Sequence, residues 1–199
     1  MGTADAIGAL GAGRRWAWTV AVGAGLARIA DALSGSLSPD SDDWDCNSSW
    51  DYGTNALDAA AFFLTAAAVL VVHAQQRHRV GTPGQVGAAV AAAGCVAAGV
   101  NNPVEHCGGV EVLVFVLWVP AILTLLGGHM LLGVATIRAR VLPVWAGAAL
   151  IVGVLTLFIV SNGGGAIVFG IAWVAVGAAL WAAQARRSER TGETLLPPV

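Results

Sequence analysis

Six runs of apolar residues, each bounded by polar or turn-forming positions, divide the chain at 16–34, 55–74, 85–101, 110–135, 142–160 and 165–184. Each run is near the roughly 20 residues with which a helix crosses a bilayer, and none alternates as a half-buried strand does. The pattern predicts an all-α chain: one integral membrane bundle of about six transmembrane helices over residues 1–199, without a separate soluble domain. The third and fifth runs are short and rich in Gly and Ala. From Val86 to Cys95 nearly every side chain is small, which predicts a central helix approached closely by several neighbours. Pro120 removes a backbone hydrogen bond within the fourth run and predicts a bend that opens space beside it.

The polar positions between the runs set an orientation. With the N-terminus inside, nine of the ten arginines (Arg14, Arg15, Arg77, Arg79, Arg138, Arg140, Arg186, Arg187 and Arg190) fall on the inner side, and Arg28 alone does not. Nine of the twelve acids (Asp31, Asp40, Asp42, Asp43, Asp45, Asp51, Asp58, Glu105 and Glu111) fall at or beyond the outer half. Every short inner connection carries its own arginine pair, as the positive-inside rule requires for an N-in, C-in topology. The long connection, 35–54, becomes an acidic outer loop, and Asn101 to Gly109 a second outer loop. The first run has the outline of a signal peptide, with Arg14-Arg15 before it and Ala30-Asp31-Ala32 after it, and is read as helix 1.

Composition sharpens this picture. With 57% hydrophobic and 11% charged residues and a mean hydropathy of +0.73, the apolar surface exceeds what a soluble domain of this size can cover. The bilayer is therefore the expected principal partner. The absence of Lys, with abundant Ala, Gly, Val and Arg, points to a bacterial plasma membrane. It also excludes Schiff-base chemistry with retinal. No phosphate-binding loop, dinucleotide fingerprint, zinc-protease motif or nucleophile elbow occurs, nor a basic patch for nucleic acid, so neither a cofactor nor a metal is expected. The acidic run Asp40 to Asp45 lacks the spacing and glycine of a calcium loop and reads as a solvated segment.

Cys46 and Cys107 fall in the two outer loops, where oxidising conditions make them natural disulfide partners; Cys95 lies inside helix 3 and reads as a small packing residue. The candidate chemistry gathers at the same outer depth. Asp31 ends helix 1, Asp58 lies about one turn into helix 2, Glu111 opens helix 4, and Glu105 precedes it. A carboxyl group in apolar surroundings can hold a proton and deliver it as a general acid. Each of these acids also has a purely structural reading, Asp58 and Glu111 as anions at helix N-termini and Asp31 as a local partner of Arg28.

Eight tryptophans, against one Tyr and five Phe, are the chain's most unusual feature. Trp16, Trp18, Trp145 and Trp181 suit an inner aromatic belt. Trp50, Trp118 and Trp173, with Phe62, are candidate walls around a substrate, because aromatic faces stabilise cations. His129, in the inner half of helix 4, is a candidate substrate contact or proton relay, or else a bond between helices. An acid beside several aromatic faces suits a carbocation reaction.

The stretch from Leu132 to Gly147 (LGVATIRARVLPVWAG) resembles a segment of small actinobacterial membrane proteins of unknown function. In length, span count and its combination of acids with Trp, the chain is similar in layout to the small membrane-bound terpene cyclases of bacteria. That resemblance implies protonation of an alkene or epoxide in a prenylated, hydrophobic small molecule, with Asp58 or Asp31 as donor and Glu105 or Glu111 as its partner. Two other classes remain open: a small transporter or channel subunit using the same acids for protons or cations, and a non-catalytic accessory or sensor protein.

Overall fold

The computed structural model describes residues 16–37, 46, 48–108, 111–160 and 163–191; of residues 105–108, 111–115, 187, 190 and 191 it describes the backbone alone. These residues form six helices and no strand: α1 (Ala17–Ser36), α2 (Ser49–Gln76), α3 (Gly81–Gly108), α4 (Glu111–Ala139), α5 (Val144–Ile159) and α6 (Gly164–Thr191). Four segments are long and apolar enough to cross a membrane, namely Ser49–Gln76, Gly81–Val104, Val116–Ala139 and Gly164–Arg186. Helix α1 carries Arg28 and Asp31 in its second half. Helix α5, at 16 residues, is roughly 24 Å long at 1.5 Å per residue.

The helix limits differ from the apolar runs where capping or proline chemistry intervenes. Helix α2 begins at Ser49 because Ser48 and Asp51 form a capping box: the Asp51 backbone N–H donates to Ser48 Oγ (3.3 Å), and the Ser48 N–H donates to Asp51 Oδ2 (2.8 Å). Much of the second half of the expected loop 35–54 is therefore helix. Asn101 and Asn102, expected in the second outer loop, are helical, since α3 runs through Pro103 to Gly108. The acidic segment 38–45 and the tail after Thr191 lie outside the described residues.

Each helix packs against its neighbours in sequence, and α6 returns to pack against α1, so the six close into a ring. The small-residue helix α3 is one member of that ring, between α2 and α4, and not the central helix that its composition suggested. Its small residues serve those two contacts. A Cβ on Gly94 would meet the Leu125 backbone, and one on Gly128 of α4 would meet the backbone of Ala91. The same device closes the other seams. A Cβ on Gly170 of α6 would stand 2.7 Å from the Gly25 carbonyl of α1, and one on Gly147 of α5 would stand 2.6 Å from the Gly133 carbonyl of α4. Such backbone approach is what allows dispersion contacts to hold apolar helices together.

The end of the ring where α1 stops and α2 starts is termed the upper end. Phe62, Val69, Leu125, Leu132, Phe169 and Trp173 fill the interior below it. Towards the lower end, Gln76 Nε2 of α2 donates to Thr136 Oγ1 of α4 across 2.7 Å, and Thr136 Oγ1 donates in turn to the Leu132 carbonyl. Among the described residues, large side chains and this polar pair thus fill the ring from its middle downwards.

Adjacent glycines test the close-packed seam. Gly128→Val should destabilise the fold by at least the ~1–3 kcal/mol of an overpacked core. Gly127→Ala, where an added Cβ meets nothing within 4 Å, should be neutral or stabilise the helix by up to about 1 kcal/mol. Thermal unfolding of the two variants in detergent checks the contrast, and equal behaviour would contradict the α3–α4 packing.

Candidate functional site

A charge sits deep inside the ring. Arg28, on the face of α1 turned towards α2, is 2% exposed. A buried guanidinium needs anionic partners, and both come from the upper half of the bundle. Its Nη1 donates to Asp31 Oδ2, three residues on along the same helix (3.0 Å), and to Asp58 Oδ1 of α2. The two carboxyl groups therefore stand side by side on one nitrogen. Asp58 Oδ2 accepts a second hydrogen bond from Asn102 Nδ2 of α3 (2.6 Å), so both oxygens of that carboxylate are occupied. Phe62, one turn along α2 from Asp58, places its ring under the guanidinium, 3.8 Å from Cζ to the ring centroid. Three helices are tied at one point, and Arg28 Nε and Nη2 remain without a protein partner.

This cluster lines a cavity of ≈ 410 Å³ in the upper half of the ring, to which all six helices contribute. Beside Arg28, Asp31, Asp58 and Asn102, its walls are apolar or aromatic: Phe62, Ala98, Trp118, Ala121, Ile122, Leu125, Leu157, Phe158 and Ala166. Trp118, Ala121 and Ile122 flank Pro120, where space beside α4 was expected. Below Leu125 the core closes over His129, whose Nδ1 lies 2.8 Å from the Leu125 carbonyl. The His129 ring meets Phe169 and Trp173 edge to face at 5.4 and 5.9 Å between centroids.

Of the residues singled out in the sequence, Asp31, Asp58, Phe62 and Trp118 meet in the cavity. His129 and Trp173 are wholly buried beneath it, next to each other and not among the lining residues. Trp50, in the first turn of α2, is 44% exposed and also lies apart from the lining. The side chains of Glu105, Glu111 and Cys107 lie outside the described residues. Cys46 accepts a hydrogen bond from Asn55 Nδ2 (3.4 Å), and Cys95 is a free, buried thiol. The pairing of Arg28 with Asp31 was expected from their spacing of three on one helix and is present at 3.0 Å; the bond from Arg28 to Asp58 was not expected, nor was Asn102, because the helix through Pro103 was not anticipated.

No protein-family model, curated protein or solved structure matches the chain. The site is therefore read from its own geometry.

Removing Arg28 leaves two neighbouring carboxyl groups without their counter-charge. Arg28→Met should cost about 3–5 kcal/mol, as when one partner of a buried ion pair is deleted. The double variant Arg28→Met/Asp58→Leu should recover a large part of that loss. Unfolding free energies of the single and double variants in detergent provide the measurement, and strictly additive effects would show that the pair is not coupled.

Proposed function

We propose that the chain is a six-span integral membrane protein with both termini in the cytoplasm, whose outer-half cavity binds a lipid-soluble, isoprenoid-like molecule and acts on it by general-acid catalysis. The distribution of side chains supports the membrane reading. Arg28, Thr65, Gln76, Asn101, His129 and Thr136 are buried inside the ring, whereas Leu26, Leu70, Val96, Leu123, Val152 and Ile171 face outwards. Polar inside and apolar outside is the arrangement that a hydrocarbon solvent favours. The upper end then faces outwards, and a Cys46–Cys107 bridge there would tie the acidic loop to the end of α3.

The observation that carries the catalytic reading is two carboxyl groups on one guanidinium at the wall of an apolar cavity. One positive and two negative charges leave a net negative charge in a buried place, and a proton on one acid removes it. Asp58 accepts from both Arg28 and Asn102 and is the better anion; Asp31 accepts from Arg28, lies against the Asp58 carboxyl group and is the better proton carrier. Asp31 is thus assigned as the donor and Asp58 as the fixed anion that positions Arg28. Phe62, Trp118 and Phe158 line the same space, and aromatic walls suit a carbocation intermediate of the terpene-cyclase kind. The filled lower half favours a site open to one side over a transport path.

Asp31→Asn should retain the fold and lower turnover of a cyclisable isoprenoid by at least the ~10²-fold typical of losing a general acid. Asp58→Asn should chiefly reduce stability. Full activity in Asp31→Asn would refute the assignment. For the topology, a reporter fused after Arg187 should read as cytoplasmic, while a tag placed between Asp40 and Asp43 should be reached from outside; the reverse result would invert the bundle.

A further inference from the structure

Asp31 and Asp58 use only Nη1 of Arg28. The opposite side of the guanidinium, from Nε to Nη2, is a fork of two parallel N–H donors that takes oxygen side-on. Both nitrogens are buried and have no hydrogen-bond partner among the described residues, and Arg28 is among the residues lining the cavity; an oxygen reaches them once the wall that covers them shifts. A donor pair in that state calls for an acceptor, and the remainder of the lining restricts which one. Most of the other walls are hydrocarbon or aromatic, so the body of the ligand is apolar. With Asp31 protonated, Arg28 and Asp58 already balance, so a carboxylate or phosphate on the fork would leave an unpaired negative charge in a buried place. An oxygen without charge, with two lone pairs to meet two N–H groups, satisfies both conditions.

We propose that the cavity binds a lipid-soluble molecule carrying a neutral oxygen acceptor, a ketone-type carbonyl above all, with that oxygen seated on the Nε–Nη2 edge of Arg28. The proposal rests on the reading of this cavity as a ligand site and narrows its ligand class; Arg28 becomes a binding residue as well as the counter-ion of two acids. A carbonyl polarised by Arg28 would lie beside Asp31, which is attached to the same guanidinium.

The test uses the full chain in detergent micelles and three probes of one size: cyclododecanone, cyclododecane and dodecanoate. Ligand binding to the folded state raises the unfolding midpoint in proportion to affinity. Cyclododecanone should raise it at concentrations at least about tenfold lower than cyclododecane does, the margin expected for satisfying buried donors, and dodecanoate should have no specific effect. Arg28→Lys keeps a positive charge for Asp31 and Asp58 but lacks the fork, so ketone and hydrocarbon should become equivalent. Because Arg28→Lys can itself disturb folding, Ala121→Phe supplies a second variant: it fills the cavity, leaves the ion cluster in place and should abolish the response to both probes. Equal responses of the wild type to ketone and hydrocarbon, preference for dodecanoate, no response at all, or an undiminished ketone preference in Arg28→Lys would each overturn the proposal. Ketone binding retained in Asp31→Asn, with Asp31 irrelevant to turnover, would remove acid catalysis and leave this site standing; turnover that depends on Asp31 without ketone preference would do the reverse.

Discussion

The upper half of the bundle is organised by the need to neutralise one buried cation. Arg28 lies inside the ring, where an unpaired guanidinium would be costly, and its position determines what its neighbours must be. Asp31 comes from its own helix, Asp58 from α2, and Asn102 of α3 secures the far oxygen of Asp58. These contacts draw three helix segments together at one level. They also occupy one side of the guanidinium only, so the group that holds the helices together keeps donors for something else. Packing and chemistry thus share a residue.

Close backbone approach across small residues holds the helices at both levels, Gly165 against Thr156 beside the cavity and Gly128 against Ala91 below it, while large side chains fill the centre lower down. The cavity lies beside the ion cluster, where Trp118, Ala121 and Ile122 flank Pro120 of the continuous helix α4, and Leu125, His129, Phe169 and Trp173 fill the interior further down. A site with a floor, apolar walls and a charged edge at one end follows from that division.

The number of helices was legible in the sequence, because apolar run length acts residue by residue, and so was the shared level of Asp31 and Asp58, two of the four acids grouped there. Phe62 and Trp118 stood among the candidate aromatic walls for their chemistry alone. Features that depend on contacts between helices were not legible. The small residues of α3 signal close approach but not how many neighbours approach, so a ring member reads as a central helix. Trp173 and His129 have the composition of a binding wall, yet the seams on either side bring α4 and α6 near enough to bury both below the cavity. Ser48 and Pro103 moved helix limits through a cap and a tolerated proline, and the second of these hid Asn102. Arg28 was visible as an exception to the positive-inside pattern, but its geometry against two acids exists only once α1 and α2 are packed together.

Infrared spectroscopy of the purified protein at neutral pH tests most directly whether this ion cluster carries a proton ready for transfer, since a protonated carboxyl group absorbs as a C=O stretch well separated from carboxylate. A protonated-carboxyl band that disappears in Asp31→Asn and survives in Asp58→Asn is the predicted result. A wild-type spectrum without such a band, or a band lost in Asp58→Asn and unchanged in Asp31→Asn, would contradict the assignment of Asp31 as the proton carrier.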